Sequence, residues 1–213
     1  MHDINYVLYE KVSGQTDVNE HLLYLSKLTK ECTSVLQCGG DHKSDCSWAF
    51  INGLVKNKKD TKVLDISHVN RFHTLTSIQE ACSENNVAHT YYVGSSLTLP
   101  EKEYDMVYIS TWHVYGHLKR ELAKFKDSTK KYIVMHATEV DKTQGESVRC
   151  RFNIEQQMKE SGYSLEEVTT GLQKAIDEFL ENNKDWRIKQ HFQHQHGLTV
   201  LERMSTNSEN VTV

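Results

Sequence analysis

The 213-residue sequence predicts an α/β protein with a doubly wound parallel sheet. Two observations support this fold class. Short apolar segments typical of buried strands alternate with longer amphipathic segments of helical periodicity, as expected when helices cover both faces of a parallel sheet. The chain then finishes with two strand-like segments around a polar turn, which predicts an antiparallel hairpin at one edge of the sheet.

The elements are predicted in order along the chain. Residues 18–32 offer Asn19 as an N-cap and leucines at helical spacing, so they predict the first helix. The following strands are predicted at 34–38, 61–67, 88–94, 105–110 and 131–136. The intervening helices are predicted at 46–57, 75–85 and 115–125.

The C-terminal part departs from this alternation. Residues 171–183 predict an amphipathic helix, and 186–193 and 197–204 predict the two hairpin strands. Residues 138–170 are too many for an ordinary connection, so we expect a partly helical insertion over the carboxyl edge of the sheet. The polar residues 205–213 predict a disordered tail, which leaves 1–204 as a single domain.

Composition limits the classes of function. Lys and Arg number 25 against 29 Asp and Glu, a net charge of -4 without a basic block, so non-specific nucleic-acid binding is not the default. No segment approaches the roughly 20 apolar residues that span a bilayer, and the N-terminus lacks the apolar core of a signal peptide. Five cysteines without a CxxC pair are typical of reduced thiols. We therefore expect a cytoplasmic protein.

Chemistry is expected where the parallel strands end, because ligands of open α/β sheets bind outside the carboxyl ends of the strands. His113 and His136 follow or end the fourth and fifth strands, and a histidine there is a candidate general base or a structural residue. The stretch "HFQHQHG" in the hairpin is interpreted as a polar turn rather than a metal cluster, because only His194 and His196 would share a face of a strand.

The segments "SWAFINGLVKN", "ISTWHVYGHLKREL" and "KYIVMHAT", together with the ending "GLQKAIDEFLENNKDWRIKQHFQHQHGLTVLERM", resemble a family of class I S-adenosylmethionine-dependent methyltransferases. That family occurs in bacteria and giant viruses and is related to sugar O-methyltransferases and cephalosporin-hydroxylase-type proteins. The resemblance implies a Rossmann-like seven-stranded sheet with an antiparallel last strand. It also implies S-adenosylmethionine as cofactor and a large DNA virus as one source.

The resemblance further implies which residues would hold the cofactor. Gly39 and Gly40 match the glycine-rich turn that receives its methionine part, and Asp65 matches the acid that holds the ribose hydroxyls. Gly94 and Ser95 stand where the family has Gly-Asp near the adenine. Asp65 is thus retained and the glycines are partly kept, whereas the acid that the family has at the end of the first strand and the adenine-side acid are both absent.

The catalytic positions depart from the family pattern. Ser110 and Ala137 stand where the family has carboxylates that hold a divalent metal or orient the acceptor, and Gly116 replaces a further acid. Magnesium prefers carboxylate oxygens, so no metal is expected at these positions. If the protein is active, His113 is the remaining base, with His136 as its helper.

Two functional hypotheses follow. The joint loss of acids favours a methyltransferase-fold protein that has lost catalysis and serves as a binding or scaffold protein for a protein or nucleic-acid partner. The alternative is an active S-adenosylmethionine-dependent O-methyltransferase acting on a sugar or nucleotide sugar. Homo-oligomerisation is compatible with both hypotheses, and neither involves a membrane.

Overall fold

The structure, a computed structural model, describes residues 3–40, 45–69 and 75–204. Their central feature is a seven-stranded sheet in the order β3-β2-β1-β4-β5-β7-β6. The strands are β1 (Ser34–Gly39), β2 (Val63–His68), β3 (Ala88–Val93), β4 (Tyr104–Ser110), β5 (Thr129–His136), β6 (Trp186–Phe192) and β7 (Leu198–Arg203). The first five strands are parallel, and β7 pairs antiparallel with both β5 and β6. The predicted fold class and C-terminal hairpin are confirmed.

Helices cover the sheet on both faces. Within the described ranges they are α1 (Ile4–Val12), α2 (Leu22–Thr29), α3 (Asp45–Lys56), α4 (Leu75–Glu84), α5 (Tyr115–Phe125), α6 (Glu146–Arg149), α7 (Ile154–Ser161), α8 (Leu165–Thr169) and α9 (Leu172–Asn182). The four helices α1, α2, α3 and α4 pack on one face of the sheet through one apolar cluster. Helices α5 and α9 pack on the other face through a second cluster. This two-sided burial explains why the central strands are almost continuously apolar.

Two features near the N-terminus differ from the predictions. Helix α1 was not predicted, because exposed Tyr6 and Tyr9 interrupt the apolar pattern that buried Ile4 and Leu8 would otherwise give. Asn19 is not the N-cap of α2. It begins a short 3₁₀ turn (Asn19–His21), and its side-chain amide donates to the Val12 carbonyl oxygen 3.0 Å away.

The segment 138–170 contains the short helices α6, α7 and α8. Helix α8 packs against the start of α5 at Gly116, where an added Cβ would lie 2.5 Å from the Cβ of Glu167. The acid that the resemblance places at Gly116 therefore has no room while α8 is docked there. The predicted tail, residues 205–213, lies outside the described residues.

The cysteines are all free thiols, and Cys150 is exposed whereas Cys32, Cys38, Cys46 and Cys82 are buried. Four of them thus act as small core residues. Among the residues that the structure describes, none of the helices has the length and apolar character needed to cross a membrane.

Candidate cofactor site

A cavity of about 510 Å³ lies at the carboxyl ends of β1, β2, β3 and β4. Gly39, Gly40, Gly94 and Ser95, four of the five predicted cofactor residues, line it. The volume falls within the range of about 300–1,000 Å³ found for small-molecule sites. The cavity thus lies where an open α/β sheet is expected to bind a ligand, beside the switch point between β1 and β4.

The turn after β1 requires glycine. Gly39 has a φ of 72°, and a Cβ on it would lie 1.9 Å from the Ser110 carbonyl oxygen. The Gly40 amide, at a φ of 123°, donates to that same carbonyl oxygen at 2.9 Å. The Gln37 side chain adds a hydrogen bond to the Gly39 carbonyl oxygen at 3.0 Å. The turn is therefore fixed against the end of β4, and its backbone borders the cavity without side chains.

The ends of β2 and β3 form the opposite wall. The Gly94 amide donates to the His68 carbonyl oxygen at 3.0 Å, and Gly94 has a φ of 151° that favours glycine. The Ser67 hydroxyl donates to the Gly94 carbonyl oxygen at 3.4 Å. Ser95 caps the short helix Ser96–Thr98 by accepting from the Leu97 amide. Small polar groups thus face the cavity on this side.

Asp65, the acid that the resemblance implies for the ribose hydroxyls, does not reach the cavity. Strand β2 continues to His68, and Asp65 lies within it, fully buried, and is not among the residues that line the cavity. Its carboxylate accepts hydrogen bonds from Lys102 Nζ at 2.6 Å and from the Tyr104 hydroxyl at 2.8 Å. The position beside the cavity that Asp65 was expected to hold is occupied by Ser67 and His68.

His113 lies beneath the insertion. Its Nδ1 is 3.3 Å from Oδ2 of the fully buried Asp141, and both ring nitrogens are buried. Arg149 holds the Asp141 carboxylate with two hydrogen bonds of 2.5 and 2.9 Å. Burial would raise the pKa of Asp141, but the nearby His113 and the hydrogen bonds from Arg149 outweigh it and lower that pKa. His113 borders a small internal cavity and does not line the large one, so its geometry gives no support to a general-base role.

His136 is also placed behind the cavity wall. Its side chain is buried, Nε2 is 3.1 Å from the Asp17 carbonyl oxygen, and Nδ1 is 3.5 Å from the Ser110 hydroxyl. Burial, aided by the nearby His113, lowers the pKa of His136 to about 4. The imidazole is therefore neutral at physiological pH, and Ser110 lies between it and the cavity.

The insertion contributes a carboxylate that the sequence reasoning missed. Glu146 lines the cavity, and its Oε2 accepts a hydrogen bond from the His113 backbone amide at 3.2 Å. Within the described part of the chain, Glu146 is the one carboxylate residue that lines this cavity. The available signal was its position in a segment predicted to cover the pocket edge, but the spacing could not identify which of several acids there turns inward.

Trp112 forms an aromatic wall next to Glu146. Its ring stacks on Tyr163 of the insertion, with a centroid distance of 5.6 Å and an interplanar angle of 13°. Its indole nitrogen donates to the Ser147 hydroxyl at 3.0 Å. The Arg120 guanidinium lies over the Tyr163 ring, 4.1 Å from its centroid. The insertion therefore holds Trp112 in one orientation at the cavity edge.

Glu121 is a second missed carboxylate. It is fully buried on α5 and accepts hydrogen bonds from Ser96 and Thr111, two residues that line the cavity. Burial raises the pKa of Glu121 to about 7, against the effect of these hydrogen bonds. The signal in the sequence was an acid between Leu118 and Leu122 on the apolar face of the helix.

The residues present fit an adenosyl cofactor better than a magnesium ion. Glycine turns, small hydroxyl side chains and Trp112 give a site that can receive the polar and aromatic parts of S-adenosylmethionine. Ser110 and Ala137 offer no carboxylate at the ends of β4 and β5, so a magnesium site with the family's ligands does not fit.

Comparisons with known proteins agree with this fold. No protein-family model matches the sequence, and no curated protein matches it. Solved structures do match: a Corynebacterium glutamicum protein has a TM-score of 0.58 at 11% identity, covering 96% of this chain and 91% of that chain. A methyltransferase from Geobacter sulfurreducens has a TM-score of 0.55 at 9% identity, with the same coverage of 96% and 91%.

An O-methyltransferase from Bacillus cereus in complex with SAH (S-adenosylhomocysteine) matches with a TM-score of 0.53 at 10% identity, covering 94% of this chain and 90% of that chain. Identities this low establish the fold alone. With the strand order β3-β2-β1-β4-β5-β7-β6 and the antiparallel β7, they show that this chain has the fold of class I S-adenosylmethionine-dependent O-methyltransferases.

Proposed function

We propose that this protein binds S-adenosylmethionine or S-adenosylhomocysteine, has lost methyl transfer, and serves as a binding or scaffold protein. The observation that carries the proposal is the contrast between the two sides of the cavity. Gly39, Gly40 and Gly94 keep the turns on the cofactor side, whereas the acceptor side has Ser110 in place of a carboxylate. A net charge of -4 without a basic block favours a protein partner over a nucleic acid.

The cofactor would be held mainly by backbone. The turn at Gly39 and Gly40 would receive its methionine part, Gly94 and Ser95 would lie beside its adenine, and Ser67 and His68 would take the place of a ribose-binding acid. When bound, S-adenosylmethionine supplies an electrophilic methyl group. An acceptor hydroxyl must be activated before it can attack that methyl group. At Ser110 and Ala137, where the family has carboxylates for this step, this chain has none.

Calorimetric titration with S-adenosylmethionine and S-adenosylhomocysteine, with and without Mg²⁺, tests the cofactor proposal. We expect saturable binding that Mg²⁺ leaves unchanged, and slower amide exchange at residues 39–40, 67–69 and 94–96 in the bound state. An Asp65→Asn variant should keep its affinity, since Lys102 and Tyr104 hold that carboxylate away from the cavity. Absence of binding heat at millimolar ligand would refute the cofactor proposal.

A second candidate function rests on Glu146 and Trp112. A sugar ring can pack against the fixed indole ring of Trp112, and the Glu146 carboxylate on the same cavity wall can accept a proton from a sugar hydroxyl. In this candidate the protein is an active O-methyltransferase acting on a sugar or nucleotide sugar, with Glu146 as the base in place of the expected His113.

Transfer of a labelled methyl group to a panel of nucleotide sugars separates the two candidates. If transfer occurs, Glu146→Gln should lower kcat by about a hundredfold or more, whereas Glu155→Gln on the exposed face of the same insertion should leave it unchanged. Transfer that survives Glu146→Gln would exclude this role for Glu146. Binding without transfer to any acceptor would leave the non-catalytic proposal as the one supported.

A further inference from the structure

Three chain segments that are distant in sequence bring metal-binding side chains together on the β5–β7 side of the sheet. One donor atom from each of Asp17, His136 and His196 lies within 4.8 Å of the other two. We propose that these residues bind a divalent transition metal of the zinc class and thereby fasten the segment before α2 to the end of β5 and to the β6–β7 hairpin. This proposal does not depend on the proposed function.

The distances suit a common metal. Asp17 Oδ2 and His196 Nδ1 are 3.4 Å apart. Two ligands of a tetrahedral zinc ion, each bound at roughly 2.0–2.1 Å, are separated by about 3.3 Å. His136 Nε2 is 3.1 Å from the Asp17 carbonyl oxygen, a contact in which the ring nitrogen donates its N–H. Metal binding through this nitrogen therefore requires the Nδ1–H tautomer, for which the Ser110 hydroxyl, 3.5 Å from Nδ1, is the acceptor. Small side-chain adjustments would bring the three ligand atoms to one ion.

One of the three proposed ligands is buried and the other two are exposed to solvent. His136 is buried, with 3% of its surface exposed, and burial keeps its imidazole neutral, which is the form that binds metals. The side chains of Asp17 and His196 are 40% and 47% exposed, so an ion can enter from solvent. The cluster is thus accessible on one side and anchored in the core on the other.

The hairpin holds His196 in a costly backbone conformation. Gln195 and His196 have φ values of 51° and 63°, in the left-handed region that non-glycine residues seldom adopt. The His196 carbonyl oxygen accepts hydrogen bonds from the amides of Glu139 and Val140 at 2.9 and 3.0 Å. Strain that is fixed by surrounding contacts is frequent at functional sites, and here it directs an imidazole toward Asp17.

The ligand types select the metal class. Two imidazoles and one carboxylate suit zinc, cobalt, nickel or iron, whereas magnesium and calcium prefer sites made of oxygen atoms alone. Asp17 and His196 come from outside the ends of β4 and β5, so this site differs from the carboxylate positions that Ser110 and Ala137 have lost. It also departs from our sequence-based expectation that no metal is bound.

Zinc and cobalt binding by tag-free protein tests the proposal. A Cys150→Ser background removes the exposed thiol, which could itself bind zinc. We expect one equivalent of Zn²⁺ by calorimetry, visible absorption bands of nitrogen-ligated Co²⁺, and displacement of Co²⁺ by Zn²⁺. Zinc should also raise the Tm, since an ion that binds only the folded state stabilises it.

Two variants of exposed ligands locate the ion. His196→Asn and Asp17→Asn should each weaken Zn²⁺ binding by at least about tenfold, and asparagine tolerates the left-handed backbone at position 196. His194→Asn is the matched control, because His194 belongs to the same hairpin but lies outside the cluster. Circular dichroism checks that all three variants are folded.

The proposal would be overturned if folded protein binds no Zn²⁺ at submillimolar concentration, or if both ligand variants bind it as tightly as the parent. An equal loss in His194→Asn would also overturn it, because the ion would then be held by scattered surface histidines. Tenfold weakening in the two ligand variants alone would establish the site.

Discussion

Glu121 is a residue whose pKa the fold shifts strongly. It lies on the side of α5 that faces the sheet, fully buried, with Ser96 and Thr111 as hydrogen-bond donors. His117 Nε2 is 3.6 Å from Oε1, but burial lowers the pKa of His117 to about 4, so this imidazole is neutral at physiological pH. Neutral hydroxyls and a neutral imidazole offset little of the cost of burying a charge, so burial favours the protonated carboxyl group.

The pKa of Glu121 predicts a pH-dependent stability. In the folded state it is raised to about 7, whereas an unfolded glutamate releases its proton near pH 4.3. The stabilising contribution of the protonated group is therefore complete below about pH 4 and is lost as the pH rises through 7. Between pH 5 and 8 the parent should lose stability as Glu121 ionises, whereas Glu121→Gln should not show this loss. The unfolding free energy of the variant minus that of the parent should therefore increase by on the order of 2 kcal/mol over this range.

Urea unfolding at pH 5, 6, 7 and 8 measures this difference. Glu155→Gln on the exposed face of α7 is the control and should show a flat difference. A flat profile for Glu121→Gln as well would mean that Glu121 is ionised throughout this range in the folded protein.

At the scale of elements, the contact between α2 and α3 positions the helix that follows the β1 turn. Gly53 in α3 lies against α2, and an added Cβ would be 2.4 Å from the Ser26 carbonyl oxygen and 2.6 Å from the Cβ of Thr29. The Ser26 hydroxyl also donates to the Asn52 side chain at 2.7 Å. The two helices therefore approach closely at a point where only glycine fits.

Gly53→Ala is predicted to destabilise the protein by about 1–3 kcal/mol, because the added methyl group overpacks this contact. The direction is informative, since replacing glycine by alanine inside an open helix would stabilise it by roughly 0.5–1 kcal/mol. Urea unfolding measures the change, and Lys56→Ala on the exposed face of α3 is the control. A stabilised Gly53→Ala variant would contradict a close approach of α2 and α3 at this position.

At the scale of the whole molecule, the sheet is protected at its centre and open at its edges. In β1 and β4 nearly all residues are buried. In β3 exposed residues alternate with half-buried ones, and β6 has three consecutive exposed residues. The parallel centre is covered by helices on both faces, and among the described residues each edge strand has one unpaired side.

Native-state hydrogen exchange should therefore follow the strand order. We expect the amides of β1 and β4 to exchange only with global unfolding, at least about a hundredfold more slowly than those of β3 and β6. Mass spectrometry of exchanged peptides measures the rates. Equal protection of β3 and β4 would indicate that the edge is covered in solution, for example by a second copy of the chain.

The sequence by itself determined the fold class and the alternation of strands and helices from β1 to β5. Helix and strand periodicities are local, and the rules for parallel sheets leave few topologies, so the alternation predicted the sheet and the hairpin. Helix α5 was predicted with the same bounds, 115–125, that the structure gives. Gly39, Gly40, Gly94 and Ser95 line one cavity because they follow strands whose ends meet at one edge.

The tertiary structure alone decided which side chains reach the cavity. Asp65 lies inside β2, where Lys102 and Tyr104 bind its carboxylate, and Ser67 and His68 reach the cavity instead. Glu146 comes from an insertion whose helices are too short for periodicity to orient them. Asp17, His136 and His196 meet only because β5 lies beside the hairpin, a proximity between segments far apart in the chain that no local pattern encodes.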